Sequence, residues 1–180
     1  MPLLLLLSTI VKSQHYVSWD FIDSSNKVEQ GNIGKNFPAF NAKDINGNTF
    51  SNSTLAGKIT LINFWFEGCH PCVAEFEALN EIFEKFRNNK LFNFITFTFD
   101  DTLTINENLK KYSLRFPIIS MSEEECHRLN FGRGFPTNMI VTKDAKVAFI
   151  KSGGPTDSKI ASEEIDSTLV PKLLQLLNLN

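Results

Sequence analysis

The chain has 180 residues, of which 42% are hydrophobic and 21% charged, and its formal net charge is −2. This length suits one domain with a buried core, and the charge lacks the basic excess typical of a nucleic-acid-binding protein. With three cysteines, Cys69, Cys72 and Cys126, the chain also differs from small secreted domains built on a disulfide framework. The close pair of cysteines therefore indicates a special site rather than a scaffold.

The N-terminus, MPLLLLLSTIVKSQ, carries an apolar run over residues 3–11 that is shorter than the roughly 20 residues needed to span a bilayer. The run has the length of the apolar region of a secretory signal, although no Lys or Arg precedes it. We therefore predict a signal peptide over residues 1–14 and export of the chain, with a buried N-terminal strand or an apolar tail as the alternative. The polar residues 15–34 predict a tether, and residues 35–178 the folded domain.

Hydrophobic periodicity predicts the secondary structure in chain order. Asn46-Gly47 indicates a hairpin turn, and the apolar run KITLINFWF (residues 58–66) indicates a central strand buried on both faces. Apolar side chains then recur every three or four residues from Val73 to Phe86, and Pro71 suits the first turn of such a helix. The same criteria predict a strand at 91–99, a helix at 103–113, a short strand at FPIIS, a short helix capped by Ser122 with Glu125, a hairpin around Asp144-Ala145, and a helix at 160–178 broken or restarted at Pro171.

The order of these elements predicts the class of fold. Alternation of strand and helix in the first half implies parallel strands joined by crossover helices, and the later hairpin adds antiparallel strands. We therefore expect a single α/β domain in which a mixed central sheet is flanked by helices.

The motif Cys69-His70-Pro71-Cys72 falls where the buried strand gives way to the helix. Two cysteines at this spacing can bind a metal, crosslink the fold or exchange electrons with another protein. A helix N-terminus presents free N–H groups and a partial positive charge, which stabilise a thiolate and make it a nucleophile. An exposed Cys69 thiol would then attack a disulfide, and Cys72, one turn into the helix, would resolve the mixed disulfide.

The stretches FWFEGCHPC and GFPTNMIV together resemble the thioredoxin superfamily, and specifically its TlpA/ResA-like thiol-disulfide oxidoreductases, over about residues 33–178. The resemblance implies a thioredoxin-like three-layer fold with an N-terminal β-hairpin extension. It also implies that Cys69 is the attacking and Cys72 the resolving cysteine. Pro136 matches the cis-proline that faces the site in this superfamily, and Glu75 matches a helix glutamate that tunes thiol acidity and moves a proton.

Further residues follow from the same resemblance. Trp65, Phe135 and Thr137 are expected at the substrate-binding surface, and His70 and Pro71 between the cysteines are expected to tune the potential. A cationic His70 would make the disulfide more oxidising, and an ionised Glu75 would oppose it. Relatives commonly carry a tryptophan just before the first cysteine, where this chain has a glycine, so we expect a different contact surface for the substrate.

The expected partners are a protein thiol or disulfide substrate that docks near Pro136 and an upstream redox donor that recharges the cysteine pair. No cofactor is expected, because the sulfur atoms carry the electrons, and no nucleic acid. The resemblance further implies a reductant in the cell envelope or periplasm, related to cytochrome c maturation, and the protein is expected to act as a monomer.

Three alternatives stay open at this point. Cys69, Cys72, Cys126 and His127 could form a zinc or copper site, although adjacent helical residues such as Cys126 and His127 point about 100° apart. A peroxiredoxin-like peroxidase would need Thr or Ser three residues before its cysteine and Pro seven before, where this chain has Phe66 and Ile62. The third alternative is a binding module that has kept the fold without catalysis.

Overall fold

The protein is described here by a computed structural model that covers residues 31–178. The predicted signal peptide and residues 15–30 of the predicted tether lie outside these described residues. The strands in this range are β1 (Asn41–Lys43), β2 (Thr49–Ser51), β3 (Ile59–Trp65), β4 (Phe92–Thr98), β5 (Ile118–Ser120), β6 (Thr137–Val141) and β7 (Val147–Ser152). The helices are α1 (Asn52–Leu55), α2 (His70–Phe86), α3 (Thr102–Tyr112), α4 (Glu123–Leu129) and α5 (Ser158–Asn178).

The central sheet has the strand order β5-β4-β3-β6-β7. Strands β3, β4 and β5 run parallel, and β6 and β7 are antiparallel to their neighbours. Every residue of β3 is buried, because this strand is central and covered on both faces. The predicted mixed α/β sheet is thus confirmed, as is the separate N-terminal hairpin β1–β2, whose turn has Gly47 at a φ of 85°.

Two apolar cores lie on opposite faces of this sheet, because alternate residues of a strand point to opposite sides. One core joins Leu61 of β3 to residues of α2, α3 and α5, and the other joins Ile62 to residues of α1 and α4. The domain therefore has three layers, with the N-terminus of α2 directly at the end of β3.

Residues 31–34, predicted as part of the tether, form a turn that is attached to the domain. The backbone N–H of Gly34 donates to the carbonyl oxygen of Val147 at 2.8 Å, and Val147 donates to Lys35 at 2.9 Å. Asn32 is also largely buried, at 9% exposure. Residues 31–34 of the predicted tether are thus attached to the domain, because this segment pairs with the edge of the β6–β7 hairpin.

Helix α5 runs without interruption through Pro171, so the predicted break is wrong. Leu169 and Leu173 on either side of the proline are buried in the core shared with α2, and this packing outweighs the missing backbone donor. Within residues 31–178, no helix combines the length and the apolar character that crossing a membrane requires.

Candidate active site

Cys69 and Cys72 form a disulfide at the start of α2, with 5.2 Å between their α-carbons. Cys69 is the residue that caps the helix, and its Sγ accepts a hydrogen bond of 3.2 Å from the backbone N–H of Cys72. Pro71 lies in the first turn as predicted, where no backbone donor is lost. The sulfur of Cys69 therefore lies where the helix offers N–H groups to a developing thiolate.

The disulfide is less accessible than the sequence indicated. Cys69 is 5% exposed and Cys72 is 1% exposed, and both pack into the core that contains Trp65 and Phe76. The expected exposed thiol at Cys69 is therefore wrong for this oxidised state, because the helix cap lies directly against the end of a buried strand. His70, in contrast, is exposed and lines a groove of about 440 Å³ together with Lys111 and Tyr112.

Glu75 lies one turn beyond Cys72 and is buried, with 2% exposure, rather than an ordinary surface residue of the helix. Its Oε2 accepts a hydrogen bond of 2.9 Å from Nδ2 of Asn138. Burial raises the pKa of Glu75 to about 7, against the opposing effects of the Asn138 hydrogen bond and of Lys151, while Glu164 raises it further. A carboxyl group with this pKa can both accept and release a proton near neutral pH.

A row of polar residues crosses the sheet beneath Glu75. Asn63 on β3, Asn138 on β6 and Lys151 on β7 are directly opposite one another in the strand register. Nδ2 of Asn63 donates to Oδ1 of Asn138 at 2.9 Å, and Asn138 in turn donates to Glu75. Asn63 and Asn138 were not among the predicted site residues, although a single asparagine inside each apolar strand was a signal that could have indicated them.

The segment Phe135-Pro136-Thr137 leads into β6, beside the end of β3. The Phe135–Pro136 peptide bond is cis, and the carbonyl oxygen of Pro136 accepts a hydrogen bond of 2.8 Å from Gly153. Phe135 is half-buried, whereas Thr137 is fully buried and donates its hydroxyl to the Gly134 carbonyl oxygen at 2.6 Å. The Thr137 side chain therefore lies inside the domain. The prediction that this side chain contacts a substrate is wrong.

Trp65 does not reach the surface either. Its side chain has 0% exposure, its Nε1 donates to Oγ1 of Thr96 at 3.3 Å, and its ring lies edge-on to Phe76 at 5.2 Å. The predicted substrate contact is therefore wrong, because the alternation along β3 directs Trp65 into the core below α2.

An aromatic patch, consisting of Phe66, Phe99, Phe135 and His127, lies beside the cysteine loop. Phe66 stacks on Phe99 with 4.9 Å between ring centroids, and both rings meet Phe135 edge-on at 5.4 and 5.5 Å. His127 lies against Phe135 at 5.4 Å. Only Phe135 of these four residues was predicted to contact a substrate, because the four residues come from four separate segments.

Gly68 leaves room for the ring of Phe66. A β-carbon at Gly68 would be 3.2 Å from this ring, so a larger residue would crowd it. Phe66 also occupies the position at which a peroxidatic site would have its hydroxyl, and its ring packs on Phe99 and Phe135 instead. This arrangement does not favour the peroxidase alternative.

Cys126 lies in the opposite core from the cysteine pair and is fully buried. Burial raises the pKa of its thiol to about 12, and the nearby carboxylates of Asp100, Glu123 and Glu125 raise it further. The four residues of the zinc alternative are thus divided between the two faces of the sheet. Among residues 31–178, no group of three or more His, Cys, Asp or Glu side chains is placed to hold a metal.

A three-layer thioredoxin-like fold with a disulfide-forming Cys-x-x-Cys pair at a helix N-terminus defines the class of thiol-disulfide oxidoreductases. Comparison with known proteins agrees with this class. The sequence profile of the AhpC/TSA family matches residues 33–150, and the chain belongs to that family.

Curated relatives carry the same chemistry in their names. The thiol-disulfide oxidoreductase ResA of Bacillus thuringiensis subsp. konkukian is 30% identical over 122 residues, which cover 67% of this chain and 70% of the relative. ResA of Bacillus subtilis is 24% identical over 127 residues, 71% of either chain. A thioredoxin-family thiol:disulfide interchange protein of Chlorobium tepidum shares the fold, with a TM-score of 0.59 at 20% identity over 76% of this chain and 97% of its own. The protein is a thiol-disulfide oxidoreductase.

Proposed function

We propose that this oxidoreductase works as a reductant of protein disulfides in the cell envelope. The observation that carries the proposal is the buried Glu75 one turn from the Cys69–Cys72 pair, in a helix whose N-terminus favours a thiolate. A buried carboxyl group at this place gives the inaccessible Cys72 thiol a local proton acceptor, and Cys72 must lose its proton when it resolves a mixed disulfide.

In the proposed cycle, the Cys69 thiolate attacks one sulfur of the substrate disulfide and forms a mixed disulfide, and the released substrate thiolate takes up a proton. Cys72 then gives its proton to Glu75, and its thiolate attacks the Cys69 sulfur. This step forms the Cys69–Cys72 disulfide and releases the second substrate thiolate, which takes up the proton from Glu75, so that two electrons and two protons pass to the substrate. An upstream donor supplies two electrons and two protons to restore the dithiol.

The substrate is proposed to dock across Phe135 and Pro136, with the aromatic patch on one side. The half-buried rings of Phe66, Phe99 and Phe135 form an apolar surface next to the cysteine loop, which suits an apolar segment beside the substrate cysteine. His70, exposed between the cysteines, is proposed to tune the potential, as is Pro71. Apocytochrome c, whose cysteines must be reduced before haem attachment, is the substrate that the resemblance to ResA-like proteins suggests.

Export and a monomeric state complete the proposal. The apolar run at residues 3–11 supports export. Within residues 31–178, the exposed large apolar side chains are Ile33, Leu103, Ile160 and Leu174, which belong to three segments of the chain. Cell fractionation combined with the mass of the mature protein tests export, and light scattering tests the monomer.

The test of direction is the equilibrium reduction potential of the Cys69–Cys72 couple against glutathione or dithiothreitol, read by thiol labelling and mass. A single two-electron couple at or below about −250 mV supports a reductant. A value near about −120 mV would contradict the proposed direction and indicate an oxidant or isomerase. In either case we expect Cys69→Ser to abolish exchange and Cys72→Ser to trap a mixed disulfide, and equal residual activity in both variants would overturn the assigned roles.

A further inference from the structure

Gly154, in the loop between β7 and α5, leaves a gap beside Glu75. A β-carbon at Gly154 would lie 3.2 Å from Oε1 of Glu75, 3.9 Å from Oε2 of Glu164 and 3.9 Å from Cγ of Pro136. Gly154 is exposed, and its φ lies outside the left-handed region, so the backbone conformation does not require a glycine here. What the glycine contributes is space, and we call this space the Gly154 gap.

Two carboxyl groups border the Gly154 gap. Oε2 of Glu75 accepts from Asn138, whereas Oε1 of Glu75 and Oε2 of Glu164 both border the gap. Glu164 is partly exposed, with 34% of its side-chain surface accessible, so this second carboxyl group lies at the protein surface whereas that of Glu75 is buried.

Lys151 pairs with this second carboxyl group. Its Nζ contacts Oε1 of Glu164, and its side chain is 27% exposed. Lys151 lies opposite Asn138 in the strand register, so it stands on the same face of the sheet as the residue that holds Glu75. The charged groups that act on Glu75 are thus one cation from β7 and one anion from α5, and the two form an ion pair.

We propose that the Lys151–Glu164 ion pair is a positioning pair that controls the charge of Glu75 across the Gly154 gap. The inference rests on the proposed function of Glu75 as the proton acceptor for Cys72. While the charges of Lys151 and Glu164 neutralise each other, the ionisation of Glu75 depends mainly on its burial and on the hydrogen bond from Asn138. Removal of one partner leaves the other charge unbalanced near Glu75, so the two removals act in opposite directions.

The signs of these effects follow from the charges. In Glu164→Gln the like charge is lost and Lys151 is left unneutralised, so ionised Glu75 is stabilised and its pKa falls. In Lys151→Met the opposite charge is lost and Glu164 is left unneutralised, so the pKa of Glu75 rises. We expect each shift to be roughly one pH unit, the lower end of the range for a nearby charge. Gly154→Ala places a methyl group beside Oε1, which buries the carboxyl group further, and is also expected to raise the pKa of Glu75.

The experiment is the titration of Glu75 in the oxidised protein, followed by carboxyl ¹³C NMR, for the wild type, Glu164→Gln and Lys151→Met. Glu163→Gln is the matched control, because Glu163 is the adjacent residue of the same helix, is exposed, and loses the same charge. Gly134→Ala is the control for Gly154→Ala, since a β-carbon at Gly134 would meet nothing within 4 Å. Opposite shifts in the two pair variants, with no comparable shift in the controls, support the proposal.

Equal shifts in Glu163→Gln and Glu164→Gln, or shifts of the same sign in Glu164→Gln and Lys151→Met, would overturn it. A second readout separates this inference from the proposed function: the pH profile of disulfide reduction with and without Glu75→Gln. If Glu75→Gln leaves that profile unmoved, the catalytic role of Glu75 fails, whereas the titration still decides whether the ion pair controls its charge. If Glu75→Gln moves the profile but Glu164→Gln does not, the proposed function stands and the ion-pair inference fails.

Discussion

Asn138 donates a hydrogen bond of 2.9 Å to the carboxyl group of Glu75, and this bond joins the strand that follows the cis-proline to the helix that begins with the cysteines. The two residues are 63 positions apart in the chain. The bond gives the buried carboxylate a donor that it would otherwise lack, and it therefore moderates the rise in pKa that burial causes.

Replacement of Asn138 by alanine is expected to raise the pKa of Glu75 above its value of about 7. A hydrogen bond to a charged group is worth roughly 1.5–3 kcal/mol, which corresponds to a shift of about one to two pH units. Carboxyl ¹³C NMR measures the shift. The pH profile of disulfide reduction should move to higher pH in Asn138→Ala, and this movement should disappear when Asn138→Ala is combined with Glu75→Gln. An unchanged pKa would show that the bond does not stabilise the ionised form.

The stability of the oxidised protein is expected to fall as the pH rises through the titration of Glu75. The pKa of this group is about 7 in the folded state and 4.5 as a reference for the unfolded state, so the folded protein binds more protons between these values. The contribution is full below pH 4.5 and lost above about pH 7, and it amounts to about 3 kcal/mol at most. Urea unfolding at pH 5 and pH 8 measures the difference.

Two variants make this test specific. Glu75→Gln should remove most of the fall, because glutamine does not ionise. Glu77→Gln, two residues further along the same helix and exposed, should keep it. The same pH dependence in both variants would mean that another group causes the fall.

Truncation of the aromatic patch should weaken substrate binding more than chemistry. We expect Phe66→Ala and Phe135→Ala each to raise KM for a protein disulfide by about three- to tenfold, because each substitution removes apolar contact area that a substrate would otherwise cover. The reaction with a small dithiol, which does not need the patch, should be unaffected. Leu103→Ala is the control, because Leu103 is 75% exposed on a helix outside the patch, and a loss of rate with the small dithiol would point to damage of the site itself.

Cys126 should be inert in the folded protein. Its thiol is fully buried and its pKa is raised to about 12, so almost no thiolate is present at pH 8. With the Cys69–Cys72 disulfide intact, iodoacetamide followed by mass spectrometry should find no label in the native protein and one label after unfolding. Rapid labelling of the native protein would reopen a redox role for Cys126.

Much of the fold follows from local patterns in the sequence. Residues 58–66 predict β3, and the apolar spacing from Val73 to Phe86 predicts α2, because each signal is contained within one element. The position of the cysteines can be predicted in the same way. The strand ends shortly before Cys69 and Pro71 suits the first turn of a helix, so the helix must begin at the cysteine motif. Pro171 is the exception in this respect, because the packing of α5 against α2 overrides a local preference.

The environment of the site was decided by the tertiary structure. Glu75 is buried because α2 lies on the sheet, and its partners Asn138, Lys151 and Glu164 come from β6, β7 and α5. Trp65 and Thr137, both expected at the surface, point into the domain because their faces of β3 and β6 are covered.

The sequence by itself thus determined the class of fold, the redox motif and its location at a helix N-terminus, since strand, cap and helix are encoded within the continuous stretch of residues 59–86. Only the tertiary structure decided the proton affinity of Glu75, the composition of the aromatic patch and the accessibility of the cysteines. The physical reason is that desolvation, ion pairing and ring contacts depend on which distant segments become neighbours, and no local pattern specifies those neighbours.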